Sequence, residues 1–147
     1  MLYHVYKLHL SEGDRAIINA KGWDASPRAK AYRALSFIDG GNREMPMHVM
    51  CAALLGLYQH GLSVEASSID KVFDYDNGAP FDTGAKPIYH CKGLRSTSVG
   101  DVVVSGDGVS VCCDFGWASM PTQVALAFAD MAKRIACQRP NALDSAA

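Results

Sequence analysis

Hydrophobic and polar positions along the chain predict a succession of short strands and helices. Residues 2–10 are rich in Tyr, Val and Leu, and one alternating set is more apolar than the other, which predicts a strand. Ser11 then offers an N-cap, Asp14 follows three residues later as in a capping box, and Gly22 is a C-terminal stop. The pattern therefore predicts a helix over residues 12–21.

Residues 26–38 give conflicting signals. Ser26 followed by Pro27 is typical of a helix start, whereas the second half of the segment is as apolar as a strand. We expect a strand over residues 31–38, although helix and strand both stay open here. A turn is predicted over residues 39–42, because Asp, Gly and Asn tolerate turn conformations.

The clearest helical periodicity covers residues 46–60. Its apolar face, at the i, i+3, i+4 spacing, comprises Met47, Met50, Cys51, Leu54 and Tyr58. Gly61 is expected to close this helix. Residues 67–75 fit a helix or a strand, and the start signal of Ser67 with Asp70 favours a short helix.

The C-terminal half is predicted to contain a loop and a long helix. Gly and Pro recur through residues 76–98, which predicts a long irregular connection. The last helix is predicted over residues 122–138, with an apolar stripe of Val124, Phe128, Met131 and Ile135. The tail over residues 139–147 is expected to be flexible.

Between these two segments, Asp107-Gly108 separates two valine-rich runs and predicts a β-hairpin with a type I′ turn. Only an even register separates the side chains into two consistent faces. One face comprises Val102, Val104, Val109, Val111 and Cys113, and the other comprises Val103, Ser105, Ser110 and Cys112. Phe115 and Trp117 are expected to cover the open end of the hairpin.

Together these elements predict one α+β domain over residues 1–138, with helices packed on a small, twisted, mainly antiparallel sheet and a C-terminal helix after the hairpin. A composition of 49% hydrophobic and 20% charged residues is typical of a globular domain. The N-terminus lacks a secretory signal pattern and no apolar run is long enough to cross a bilayer, so we expect a cytoplasmic protein without a membrane partner.

The charge balance argues against a generic nucleic-acid binder. The chain has 14 basic and 15 acidic side chains, a formal net charge of -1, which provides no strong field for a polyanion. A local basic cluster of Arg28, Lys30 and Arg33 is a candidate for binding phosphate or an acidic protein surface, and a solvated edge is the simpler interpretation.

Residues typical of chemistry do not combine into a convincing site. The triplet Asp114-Phe115-Gly116 occurs in protein kinases, but the glycine-rich loop and catalytic segment of kinases are missing. Five Cys and five His residues lack the short paired spacing of zinc ligands, so we expect no metal or cofactor. The adjacent pairs are His90-Cys91 and Cys112-Cys113. A triad of Ser98, His90 and Asp101 is supported by residue type alone.

The final helix offers a second candidate for partner binding. Leu126 and Cys137 lie opposite its apolar stripe, near Lys133, so Leu126 is expected to face solvent or a partner. This placement predicts partner docking or a homodimer through residues 122–138. A monomer in ultracentrifugation at high concentration would exclude the homodimer.

One resemblance is carried by the hairpin region. The run from Ser96 to Val103 and the later Asp114-Phe115-Gly116-Trp117 resemble the SxSVGDV…FGF ending of small accessory proteins of conjugative plasmids, integrative elements and phages, related to the YodL-like group. The opening HVYKLHL and the VEASSIDKVFDYDNG stretch are more loosely similar, so about half of the chain takes part. The helix after residue 121 departs from this pattern.

The resemblance implies a non-catalytic protein-binding accessory or inhibitor protein of a mobile genetic element, acting on conjugation machinery or a host defence complex. A competing interpretation is a small enzyme or ligand-binding domain that uses the 76–98 loop with His90 and Cys91. A third is a nucleic-acid-binding regulator, whose binding would depend steeply on salt.

Overall fold

The computed structural model describes residues 1–37 and 43–138. Within these ranges it contains five α-helices and one six-stranded antiparallel sheet, which confirms the predicted α+β class. In chain order the elements are β1 (Leu2–Leu8), α1 (Glu12–Lys21), a 3-10 turn (Trp23–Ala25), α2 (Pro27–Ser36), α3 (Met45–Leu54), β2 (Tyr58–Glu65), α4 (Ile69–Asp76), β3 (Lys86–His90), β4 (Val102–Ser105), β5 (Gly108–Cys112), β6 (Trp117–Ser119) and α5 (Thr122–Gln138). The predicted turn over 39–42 and the tail over 139–147 lie outside the described residues.

The sheet has the strand order β3-β2-β1-β4-β5-β6, with β1 near its centre. One face packs against α2, α3 and α5, where Tyr6 and Leu8 of β1 meet Leu35, Val49 and Phe128. The opposite face packs against α4, where Val5 and Leu62 meet Val72. Because β1 is buried on both faces, the simple alternation expected of a one-sided strand is weak in its sequence.

The hairpin prediction is confirmed in register. Val102 pairs with Val111 and Val104 pairs with Val109, across a two-residue connection. All five residues of the predicted apolar face belong to the larger core, whereas Val103 belongs to the core under α4. The predicted turn type is wrong, since no non-glycine residue among those described has positive φ and a type I′ turn requires one at Asp107.

The capping signals at the start of the chain explain α1 and α2. Ser11 and Asp14 form the predicted capping box, and Gly22 ends α1 with a φ of 88°. The strand expected over 31–38 is wrong, because α2 runs from Pro27 to Ser36. The Ser26 side chain accepts a hydrogen bond from the backbone N–H of Ala29, and Pro27 occupies the first helical turn. These start signals outweigh the β propensity of the apolar residues that follow.

The helix predicted over 46–60 is wrong at its end and in its buried face. Helix α3 stops at Leu54, and residues 58–60 begin β2, so Gly61 lies within a strand and closes no helix. The buried residues are Met45, Val49 and Ala52, while Met47 and Leu54 of the predicted stripe are exposed. Nearly every residue of this short helix is apolar, so periodicity alone could not choose its buried face.

Two further predictions in the C-terminal half are confirmed and two are corrected. Helix α4 and helix α5 form where expected, and Val124 and Phe128 are buried. The irregular connection over 76–98 is interrupted by β3, which pairs with β2 at the edge of the sheet. Phe115 is 99% exposed and so covers nothing, whereas Trp117 lies in β6 and packs edge-to-face on Phe73.

Candidate protein-interaction surface

The outward face of α2 displays two cations beside an aromatic ring. Lys30, Arg33, Ala34 and Phe37 follow the i, i+3, i+4, i+7 spacing of one helical face, and with Asp24 they line an open depression of about 550 Å³. Phe37 is 77% exposed, at the C-cap of the helix. We call this group of side chains the α2 surface.

The opposite face of α2 explains why the α2 surface is held outward. Ala29 and Leu35 are buried, and Tyr32 stacks on Trp23 with 6.1 Å between ring centroids. Packing therefore fixes the rotation of the helix about its axis. Sequence reasoning misses Phe37 because it assigns this residue to an apolar strand; the signal that identifies it is the helical spacing from Lys30.

Arg28 differs from the other two members of the predicted basic cluster. Its Nε and one terminal nitrogen donate to the two carboxylate oxygens of Asp14, each over 2.9 Å, and the other terminal nitrogen donates to the carbonyl of Leu55. The bond from Arg28 holds the pKa of Asp14 well below its usual value. Arg28 thus ties α2 to α1 and to the end of α3, while Lys30 and Arg33 stay at the surface.

The candidates on α5 are also exposed but lie on different parts of the surface. Leu126 is 66% exposed, as its position opposite the stripe predicted. Lys133 lines a separate cleft of about 300 Å³ with Leu2, His4 and Ala129 among others. The side chain of Cys137 lies outside the described part of the structure. Docking or dimerisation through α5 stays a prediction.

His90, the histidine of the predicted enzyme site, lies beside a buried ion pair of Lys7 and Asp76. His90 Nε2 lies 3.9 Å from Asp76 Oδ1, and Lys7 Nζ, in a side chain only 1% exposed, lies 2.9 Å from Asp76 Oδ2. Thr97 donates to the same oxygen from its N–H and its hydroxyl. Burial raises the pKa of Asp76, but the bonds from Lys7 and Thr97 outweigh it, and the net pKa is lowered.

The remaining candidates for chemistry do not converge on His90. Asp101 is fully buried and receives two bonds from Arg95, at 2.6 and 2.7 Å, and one from the backbone N–H of Ser98. Cys91 Sγ has Gln59 Nε2 at 3.8 Å as its side-chain neighbour. Burial raises the pKa of the Cys112 thiol to about 12. In the residues described, no three His, Cys, Asp or Glu side chains are grouped to hold a metal ion.

An aromatic cleft between α4 and the β5–β6 turn escapes sequence reasoning. Phe73, Phe115 and Trp117 line it together with Asp70 and Asp114, and its volume is about 350 Å³. In the sequence, the Asp114-Phe115-Gly116-Trp117 run is the part of the chain that could indicate this cleft. The pattern there instead predicts that its two aromatic residues cover the open end of the hairpin. We call this feature the aromatic cleft.

Comparisons with known proteins give no relative from which a role can be transferred. No family model matches the chain, and neither a curated protein nor a solved structure matches it. None of the helices in the described ranges is long and apolar enough to traverse a bilayer. A functional role is therefore inferred from the geometry of the surfaces.

Proposed function

We propose that this chain is a non-catalytic protein-binding accessory or inhibitor protein of a mobile genetic element, and that it contacts its partner through the α2 surface. The exposed ring of Phe37, in the same depression as Lys30 and Arg33, is the observation that carries the proposal. Aromatic and arginine side chains are the residues that most often dominate binding energy at protein interfaces.

The chemistry of the α2 surface indicates an acidic partner with an apolar contact. Lys30 and Arg33 form no ion pair with described residues, and both line the depression. Carboxylates on a partner would pair with them, while an apolar side chain would cover Phe37. Asp24 also lines the depression, so it would repel a partner carboxylate placed against it instead of against Lys30 or Arg33.

The proposed biological setting rests on the resemblance of the Ser96–Val103 run and the Asp114–Trp117 run to accessory proteins of plasmids, integrative elements and phages. Conjugation machinery and host defence complexes are the partner classes that this resemblance implies. We further propose that the protein acts in the cytoplasm.

The test is site-specific photocrosslinking in a host lysate, read by mass spectrometry. A photoreactive residue replaces Ala34 inside the α2 surface, and Thr83, in the connection before β3, serves as the control position. We expect one partner to be enriched at position 34 and absent at position 83. Equal adducts at both positions, or none at position 34, would refute the proposal.

Variants then assign the binding to named side chains. We expect K30E/R33E, and separately Phe37→Ser, to weaken capture by about tenfold, because each removes an anchor of the interface. Lys21→Glu with Lys92→Glu makes the same change in net charge at exposed positions elsewhere. If this control weakens capture equally, the effect is one of overall charge, and the α2 surface is not the site.

The two competing interpretations stay predictions with their own tests. An enzyme or ligand-binding domain would lose activity without unfolding when His90 and Cys91 are both replaced by alanine. A nucleic-acid-binding regulator would give crosslinks to nucleic acid at position 34, and its affinity would fall steeply with added salt.

A further inference from the structure

The aromatic cleft combines three rings with two carboxylates at the surface. Phe73 and Trp117 form its wall, in an edge-to-face pair with ring centroids 6.4 Å apart, and Phe115 projects beside them from the β5–β6 turn. Its volume of about 350 Å³ lies within the range of protein pockets that bind small groups. This surface is distinct from the α2 surface, so an inference about it stands apart from the proposed function.

Folding does not account for Phe115. Its ring is 99% exposed, so removing it would expose no core and break no packing contact. A single exposed apolar residue is common in proteins, but this ring lines one cleft together with two other aromatic side chains. The grouping is what indicates a binding surface.

The charges of the aromatic cleft select the partner. Asp70 and Asp114 are exposed and form no ion pair with described residues, and none of the described residues that line the cleft is a cation. Lys71 is adjacent to Asp70 in sequence, but its ammonium lies 5.1 Å from the centre of the Phe81 ring, which is not part of the cleft. The cleft therefore presents negative charge beside one exposed ring, Phe115, and two half-buried rings, Phe73 and Trp117.

Guanidinium groups match both features at once. An arginine side chain stacks on aromatic rings and donates two parallel hydrogen bonds to a carboxylate. A lysine ammonium lacks the planar fork that makes this paired contact. We propose that the aromatic cleft docks a peptide segment of another protein that carries an arginine flanked by apolar residues. Arginine would lie between the rings with its guanidinium toward Asp70 and Asp114, and the flanking residues would cover Phe115.

The test is a titration of the ¹⁵N-labelled full-length protein with defined peptides, followed by amide chemical shifts. The probes are acetylated, amidated pentapeptides of alternating Leu and Arg, Leu and Lys, or Leu and Glu. We expect saturable shifts around residues 70–73 and 112–117 with the Arg peptide, weaker binding of the Lys peptide and none of the Glu peptide. Shifts elsewhere, or equal binding of the Glu peptide, would overturn the proposal.

Matched variants separate the cleft from general charge and stickiness. We expect D70N/D114N to weaken binding of the Arg peptide by about threefold to tenfold. We expect Phe115→Ser to weaken binding of the same peptide by about tenfold. Asp107→Asn at the hairpin turn and Phe37→Ser on the α2 surface are the controls, since both residues are exposed outside the cleft. Unchanged binding by the Phe115 variant, or equal loss in the controls, would refute the assignment.

A second copy of the chain is the alternative occupant. Concentration-dependent association in sedimentation experiments, abolished by Phe115→Ser, would show that the cleft binds another copy and would overturn the proposed peptide partner. Because the tested side chains are exposed, circular dichroism is expected to show the same fold for every variant.

Discussion

Replacing Gly100 by alanine tests whether the SVGDV run of this chain is a structural motif. Gly100 is buried with a φ of 90°, a conformation that side-chain-bearing residues rarely adopt. A Cβ at this position would lie 2.6 Å from Leu8 Cδ1 and 3.0 Å from the carbonyl oxygen of Leu35. The Leu8 methyl can move, but the Leu35 oxygen belongs to the backbone of α2, so the clash cannot be relieved by a rotamer change alone.

Gly93 offers a matched control in the same connection. Its φ is 85°, and a Cβ added there would meet no described atom within 4 Å. At either site, holding alanine at positive φ lowers the free energy of unfolding by roughly 1–2 kcal/mol. The replacement also restricts the unfolded chain, which raises the free energy of unfolding by about 0.4–1 kcal/mol. We therefore expect Gly93→Ala to lose about 0–1.5 kcal/mol.

Gly100→Ala adds the clash. Overpacking of this kind typically costs about 1–3 kcal/mol, so we expect Gly100→Ala to lose about 1–3 kcal/mol more than Gly93→Ala, a total of about 1–4.5 kcal/mol. The measurement is urea unfolding followed by the fluorescence of Trp23 and Trp117. The comparison requires that the dependence of the unfolding free energy on urea concentration is equal in the two variants. Equal losses for the two variants would refute the reasoning, because backbone conformation alone would then explain both.

Two further predictions concern the ion pairs that the sequence did not reveal. Asp76→Asn is expected to lower the free energy of unfolding by about 3–5 kcal/mol, because Lys7 would be left buried without its carboxylate. Thermal unfolding checks this, with Asp74→Asn as the control, since Asp74 lies in the same helix and forms no ion pair with a described residue. Equal stability of the two variants would contradict the prediction. The second prediction concerns Asp14, whose pKa in the folded protein lies below the unfolded value of 3.8. The ionised carboxylate therefore stabilises the fold above that pH, and this stabilisation is lost as the pH falls below it. Between about pH 5 and about pH 3 the urea midpoint should fall less in Asp14→Asn than in the wild-type protein, and equal falls would show that another group is responsible.

The sequence predicted those elements whose signals were local and mutually consistent. The capping box at Ser11 and Asp14 is readable because a few neighbouring residues suffice to form it. The hairpin is readable because a two-residue turn separates its two faces and a three-residue loop does not, although the sequence left open whether Gly106-Asp107 or Asp107-Gly108 forms the turn. The fold class followed from these elements, since a strand, helices and a hairpin in this order favour helices packed on an antiparallel sheet.

Tertiary packing decided what the sequence could not. In α2 the apolar residues suit a strand, but the helix that begins at Pro27 places Leu35 in the core. Lys7 of β1 is buried although it is charged, because its ammonium pairs with Asp76 from α4 and donates to the carbonyl of Arg95. A local sequence pattern cannot indicate a partner so far away in sequence. Buried ion pairs of this kind can therefore be identified only from the folded structure.

Internal pairing also changes what the net charge says about partners. Lys7 and Asp76 form a buried neutral pair, and Arg95 at the surface pairs with the buried Asp101, so neither pair adds net charge to the field outside the fold. The charges that a partner meets are local: Lys30 and Arg33 on the α2 surface, Asp70 and Asp114 at the aromatic cleft. A formal charge of -1 therefore argues against a chain-wide attraction to polyanions but not against two surfaces of opposite sign. Since such fields decay over about 8 Å at physiological salt, the exposed rings of Phe37 and Phe115 must supply the part of each interaction that salt does not screen.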